Sequence, residues 1–306
     1  MEEILVDNLT KDYGFGRGVF DVSFKVNKGE VFGFLGPNGA GKSTTIRHLM
    51  GFSKPQNGHT KILGKDSFEH YSEFMDKVGY LPGEIALPSG LTGYEFIDMM
   101  KKMKHVKNEQ WLNHLIELFE LDPSGETKRM SLGVKRKLAV VTAFMNDPDI
   151  LILDEPTSGL DLKMQQQFIE FIKEEKKRGK TILLSSHIFS EVDATCDRIA
   201  IIKDGRIVNE FIADDLKHKT EKIYKIKFQT TEENKKFQTE NKNNKSFKII
   251  ESDNDYAILS TDDTQINEVI KTLSNYDFIS FEHLKESLED YFMSYYKEDK
   301  DFGGAL

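Results

Sequence analysis

The chain has a single cysteine, Cys196. A lone cysteine forms neither an internal disulfide nor a cysteine-rich metal site, so a reducing compartment fits, with Cys196 as a small buried hydrophobe. Long apolar runs are missing too. The stretches at residues 150–153 and 199–202 fall far short of the about 20 residues that a spanning helix needs. The start, Met-Glu-Glu-Ile-Leu-Val-Asp, is acidic and then alternating, without the basic head and apolar stretch of a secretory signal. These absences predict a cytoplasmic protein that reaches a membrane only through a partner. Positive charge is in deficit: 42 Lys and Arg stand against 51 Asp and Glu, for a net charge of −9. That argues against a general nucleic-acid binder, whose surface must neutralise phosphates. There is no internal repeat and no coiled-coil heptad pattern.

What is present is an alternation of strand-like and helix-like segments. Residues 2–9 alternate, and so do residues 19–26, with Val22, Phe24 and Val26 on one side. Lys28-Gly29-Glu30 is a turn. Residues 31–35 form a continuous apolar run, suited to a strand buried on both faces. Residues 43–50 read as a helix. From about 94 to 120 the pattern is helical, with Trp111, Leu112, Leu115, Ile116, Leu118 and Phe119 as a packing face. Helices follow at 132–146, 163–178 and 188–195, and strands at 150–153, 181–184 and 198–203. Asp204-Gly205 is a hairpin turn. Strands alternating with helices predict an α/β fold with a mostly parallel sheet.

Composition shifts near residue 215, which predicts a first domain over residues 1–215 and a small α+β domain over 220–306. Residues 230–248 are rich in Lys, Asn, Glu and Thr and read as a solvated helix or loop. Around them lie strands at 223–228, 247–251, 256–260 and 278–283, a turn at Asp253-Asn254 and a helix at 264–276. With a short helix in the polar stretch the order becomes βαββαβ, a ferredoxin-like split unit. A last helix at 287–296 carries Leu288, Tyr291, Phe292 and Tyr295 at helical spacing.

Three motifs carry chemistry. Gly36-Pro37-Asn38-Gly39-Ala40-Gly41-Lys42-Ser43-Thr44 fits a phosphate-binding loop, placed after a predicted strand and opening a predicted helix. Glycines such as Gly36, Gly39 and Gly41 let backbone N–H groups approach phosphates, and the helix start adds partial positive charge. Lys42 is expected to reach the β- and γ-phosphates and the Ser43 hydroxyl to hold Mg²⁺. Second, the apolar run at 150–153 ends in Asp154-Glu155, at the carboxyl end of a strand, where ligands of open α/β sheets sit. Asp154 would join Ser43 at the metal, and Glu155 would polarise the attacking water as general base. Third, Leu184-Ser185-Ser186-His187 ends another strand and could offer a hydrogen bond to a γ-phosphate.

The order and spacing of these pieces resemble the nucleotide-binding domain of the ABC ATPases over residues 2–215. The resemblance implies a P-loop core with an inserted helical subdomain, about 84–145, and an antiparallel β subdomain. It implies a serine-glycine signature, matched here by Ser131 and Gly133 in Met130-Ser131-Leu132-Gly133-Val134-Lys135-Arg136-Lys137. Leu132 and Val134 stand where the family has glycine and glutamine. It also implies that ATP is sandwiched between Lys42 of one protomer and Ser131 of another, with Asp161 crossing the interface. Two chains would complete two sites. Tyr13 matches the aromatic that stacks on adenine, with Phe15 as the alternative. In Gly79-Tyr80-Leu81-Pro82-Gly83-Glu84 the family's metal-touching glutamine is replaced by Gly83, and Glu84 is placed to take that role one residue later. Residues 87–94 are the candidate docking groove for a membrane partner.

The Gly-Tyr-Leu-Pro-Gly-Glu run and Ser287-Leu288-Glu289-Asp290-Tyr291-Phe292 resemble the bacitracin and multidrug exporter branch, in which the permease is a separate chain. The implied activity is Mg-dependent ATP hydrolysis by a dimer that drives an integral-membrane permease from the inner face of the membrane. A non-transport ABC ATPase acting on a nucleic-acid or ribosomal partner is the alternative. Its repair and chromosome forms carry long coiled coils, and its translation forms usually carry two cassettes.

Overall fold

A computed structural model describes residues 1–217 and 221–284, together with Leu288 and Phe292. The chain divides into two compact units, Met1–Ala213 and Asp214–Leu306.

The first unit opens with β1 (Glu2–Asp12), β2 (Gly18–Asn27), β3 (Val31–Leu35) and α1 (Lys42–Leu49). Then come β4 (Asn57–Ile62), β5 (Lys65–Asp66) and β6 (Val78–Leu81). Three helices follow: α2 (Gly93–Met103), α3 (Glu109–Leu118) and α4 (Leu132–Phe144). The unit ends with β7 (Ile150–Asp154), α5 (Leu162–Lys177), β8 (Thr181–Ser186), α6 (Phe189–Thr195), β9 (Arg198–Lys203) and β10 (Arg206–Ile212).

The central sheet has the order β10-β9-β3-β8-β7-β6. β9, β3, β8, β7 and β6 are parallel, and β10 adds antiparallel on β9 through the Asp204-Gly205 turn. Every residue of β3, β7 and β8 is buried. Their unbroken apolar runs are therefore the mark of strands covered on both faces. A second, antiparallel sheet has the order β2-β1-β4-β5 and packs Phe24 on Phe32 of β3, rings stacked at 5.0 Å. The strands at 57–62, 65–66 and 78–81 were not placed from the sequence, whereas β10 is the return strand that the Asp204-Gly205 hairpin turn implied. In β4 only Thr60 and Ile62 are buried, so its alternation is too short to stand out.

The helical stretch expected over 94–120 is two helices. Thr92 caps α2 through a reciprocal box with Glu95, and His105 takes a left-handed φ of 50° just past its end. Asn108 then caps α3 by accepting from Trp111 N. Two N-caps in 17 residues break the run.

The second unit contains α7 (Ala213–Lys217) at the junction, then β11 (Glu221–Phe228), α8 (Thr231–Asn241), β12 (Phe247–Asp253), β13 (Tyr256–Asp262), α9 (Ile266–Leu273) and β14 (Phe278–Leu284). The sheet order is β12-β13-β11-β14, all antiparallel. This is the βαββαβ unit. The polar stretch does hold a helix, because Phe237 turns fully inward between Phe228 and Phe247. The helix expected at 287–296 lies outside the described residues, apart from Leu288 and Phe292, both buried.

Candidate nucleotide-binding site

The loop from β3 to α1 is shaped by two glycines in left-handed conformations, Gly39 at φ 83° and Gly41 at φ 111°. A Cβ on Gly41 would come within 2.7 Å of Val19 Cγ1, so both backbone and space require glycine there. The loop delivers Lys42 to the first position of α1. Its side chain is buried, and Nζ donates to the carbonyls of Gly36 at 2.6 Å and Pro37 at 3.0 Å. The same ammonium lies 3.1 Å from Glu155 Oε1. Asn38, Gly39, Gly41, Lys42, Ser43, Thr44 and Glu155 line one pocket at this helix start. Loop N–H groups, a helix N-terminus and a lysine together make an anion site.

Asp154 closes β7 and is buried; its Oδ1 accepts the Ser185 hydroxyl from β8, where the parallel register pairs the two residues. Glu155, one residue on, sits at φ 47°, a conformation uncommon outside glycine. Its N–H donates to Ser185 O at 3.0 Å, and Ser158 N returns to Glu155 O at 3.1 Å. This tight turn sends the two adjacent carboxylates to different places. Asp154 stays under the sheet edge, while Glu155 stands between Lys42 and His187, whose Nδ1 is 3.2 Å from Glu155 Oε2. Strain of this kind gathers at functional sites.

Gly83 approaches Asp154 closely: a Cβ there would lie 3.0 Å from Asp154 Oδ2. Glu84 is exposed. On β6, burial pushes the Tyr80 phenol up to about 12, with the Asp154 charge adding to the rise.

Of the residues singled out from the sequence, Tyr13, Gly36, Glu84, Ser131, Gly133, Asp154, Asp161 and His187 do not line the pocket, and His187 reaches it only through Glu155. Ser131 is the N-cap of α4 and accepts from Val134 N at 3.3 Å. Asp161 caps α5 in the same way, accepting from Met164 N at 2.9 Å. Both are exposed, and each is followed by an exposed leucine, Leu132 and Leu162. Tyr13 is half exposed, with the Lys11 ammonium 5.9 Å over its ring. Phe15 is almost wholly exposed at φ 57°.

Three further residues around the site were not singled out from the sequence. Ser185 holds Asp154. Glu191, buried on α6, accepts the Ser186 hydroxyl at 2.6 Å, and burial pushes its carboxyl up to about 7. Arg136 is buried on α4. Arg136 alone left a legible trace: it falls in line with Val140 and Phe144 at four-residue spacing, a charged residue on an apolar stripe.

Among the described residues no three His, Cys, Asp or Glu gather as a metal cluster. Mg²⁺ does not need one, being held by one or two carboxylates with waters and substrate phosphates. A buried carboxylate, Asp154, and the hydroxyl of Ser43 in the first turn of α1 are donors of the kind that demand calls for. No helix among the described residues is long and apolar enough to cross a membrane.

A glycine loop joining a buried parallel strand to a helix, with a carboxylate pair ending a strand of the same sheet, defines a P-loop nucleotide-binding protein. A family model described as ABC transporter matches residues 19–158. The bacitracin transport ATP-binding protein BcrA of Bacillus licheniformis is 35% identical over 239 residues, 76% of either chain. An uncharacterized ABC transporter ATP-binding protein of Bacillus subtilis, YcbN, is 32% identical over 304 residues, 95% of either chain. A solved ATP-binding subunit of an ABC transporter superposes with a TM-score of 0.65 at 31% identity, over 70% of this chain and 92% of that one. The chain belongs to the ABC transporter ATP-binding proteins.

Proposed function

We propose that this protein is the Mg-dependent ATPase subunit of an ABC exporter, working as a dimer on the inner face of the membrane beside a separate permease. The observation that carries the reading is the line of contacts Lys42–Glu155–His187 at the mouth of the glycine loop. It sets a cation for phosphate, a carboxylate for water and an imidazole for the γ-phosphate side by side. Lys42 and the N–H groups of residues 38–44 bind the phosphates. Ser43 and Asp154 would hold Mg²⁺, which when bound offsets charge on the β- and γ-phosphate oxygens. Gly83 brings backbone rather than a side chain to Asp154, which leaves Glu84 as the acidic side chain of that loop available to the metal. Glu155 takes a proton from the attacking water, and His187 both orients Glu155 and donates toward the γ-phosphate. Tyr13 stacks on adenine. Ser131 and Gly133 complete the site of a second protomer, and Asp161 crosses between the two.

Export, rather than another use of ATP, is supported by likeness to the bacitracin transport protein and by the matching Gly-Tyr-Leu-Pro-Gly-Glu segment. Residues 87–94, which lead into α2 and end at the exposed Tyr94, are the proposed contact for the permease.

Phosphate release tests the site. Glu155→Gln keeps the shape of the carboxylate but not its basicity, so turnover is expected to fall by about two orders of magnitude or more while ATP binding persists. Near-normal turnover in the variant removes Glu155 from this role. Recovery of a multi-span membrane protein with the chain in mild detergent tests the partner.

A further inference from the structure

Arg136 is 2% exposed, yet no carboxylate pairs with it among the described residues. Its guanidinium is spent on three backbone carbonyls. Nε donates to Ser158 O at 2.9 Å, Nη1 to Pro82 O at 2.9 Å and Nη2 to Gly83 O at 2.7 Å. Burying a cation is costly even with carboxylates nearby, and a position in line with Val140 and Phe144 on α4 would be filled as well by leucine or methionine. The acceptors explain the choice. Pro82 and Gly83 form the loop laid against Asp154. Ser158 closes the turn that Glu155 begins, through Ser158 N to Glu155 O. Arg136 itself stands in the second turn of the helix that Ser131 caps. A planar fork with donors on several sides can join three chain segments that meet at angles, which a lysine or glutamine cannot do as well.

We propose that Arg136 is a positioning residue that locks the Pro82–Gly83 loop and the Glu155–Ser158 turn to the helix headed by Ser131. The placement of Asp154 and Glu155 then follows any displacement of α4. Burial disfavours the charged guanidinium, and the nearby charges of Asp154 and Glu155 oppose that loss. The cation thus also balances the two carboxylates it positions. The consequence for hydrolysis rests on the ATPase reading; the mechanical link does not.

The test uses the full chain with Arg136→Met, which keeps an unbranched apolar stem but no donors, and Arg136→Lys, which keeps charge but not the fork. Amide hydrogen exchange without nucleotide is expected to be roughly tenfold faster at Ser158 and Leu160 in both variants, because the bond that holds their turn to Arg136 is lost. Exchange at Thr45 within α1 and Met50 at its C-cap should not change. With Mg-ATP, kcat should fall about tenfold and KM stay within about threefold, since Lys42 and its loop are untouched. Unchanged exchange at Ser158 and Leu160 overturns the link. So does faster exchange spread equally over residues 1–213, α1 included, which marks general loosening. If Arg136→Met does not fold, Arg136→Lys decides alone. If the wild type hydrolyses no ATP, the ATPase reading falls while the exchange pattern still judges Arg136.

Discussion

At the scale of single residues, the site is a set of charges held by burial and by short bonds rather than by opposite charge alone. Lys42 leans on two carbonyls as well as on Glu155, Asp154 on a hydroxyl, and Arg136 on three carbonyls. Glu191 goes further and holds its proton to higher pH than an ordinary carboxyl. Burial raises its carboxyl from the ordinary 4.5 to about 7, and the Glu155 charge adds to the rise. The folded protein therefore keeps a proton that the unfolded chain releases first. The stability this contributes is full below about 4.5, declines as pH rises toward 7, and is gone above it. The swing amounts to roughly 3 kcal/mol. Glu191→Gln preserves the neutral shape and removes the titration. Urea midpoints read through Trp111, the one tryptophan, should nearly coincide for variant and wild type at about pH 4.5. Above about pH 7 the variant should be the more stable. An equal gap at both pH values would place Glu191's titration elsewhere.

At the scale of elements, three helices meet on one ring. Phe171 of α5 lies 4.9 Å from Phe144 at the end of α4, 5.3 Å from Phe119 just past α3, and 6.3 Å from Trp111 within α3. Trp111 Nε1 also donates to Phe144 O, and Arg178 covers its outer face at 4.6 Å. Phe171→Ala removes the ring all three helices share and should cost about 3–5 kcal/mol. Urea unfolding with shifted Trp111 emission checks this, and a loss below about 1 kcal/mol would mean the junction closes over the cavity. None of this convergence was visible in the sequence, where the same residues showed only an apolar helical face. What was legible had a local cause. β3, β7 and β8 are unbroken apolar runs because both their faces are covered, and the phosphate loop and Asp154-Glu155 are contiguous strings. The break between α2 and α3 carries no glycine or proline. Its signal was Asn108 three residues before Trp111, a cap easily read as one more polar position. The partners of Ser185 and Arg136 were hidden for a different reason. They lie 31 and 22 to 54 residues away, and only the sheet register and helix packing bring them to the site.

At the scale of the whole molecule, the pocket of one chain offers phosphate contacts but neither Ser131 nor Asp161. Both stand exposed at helix starts beside Leu132 and Leu162, which are 60% and 83% exposed. Exposed leucines flanking two N-caps suit a surface that meets another copy, since each cap leaves further N–H groups at the helix start unpaired. Glu155→Gln saturated with Mg-ATP should accordingly scatter light as twice 35.2 kDa. The sharper test adds Ser131→Asp. Aspartate caps a helix as well as serine does, so α4 should begin where it does now and stability should change by less than about 0.5 kcal/mol. In the proposed dimer, however, the added carboxylate would meet the γ-phosphate of the facing protomer with like charge. The double variant should bind ATP and stay a monomer. A double variant that dimerises as readily as Glu155→Gln alone would remove Ser131 from the interface. A Glu155→Gln protein that never dimerises, with or without its membrane partner, would remove the interface itself.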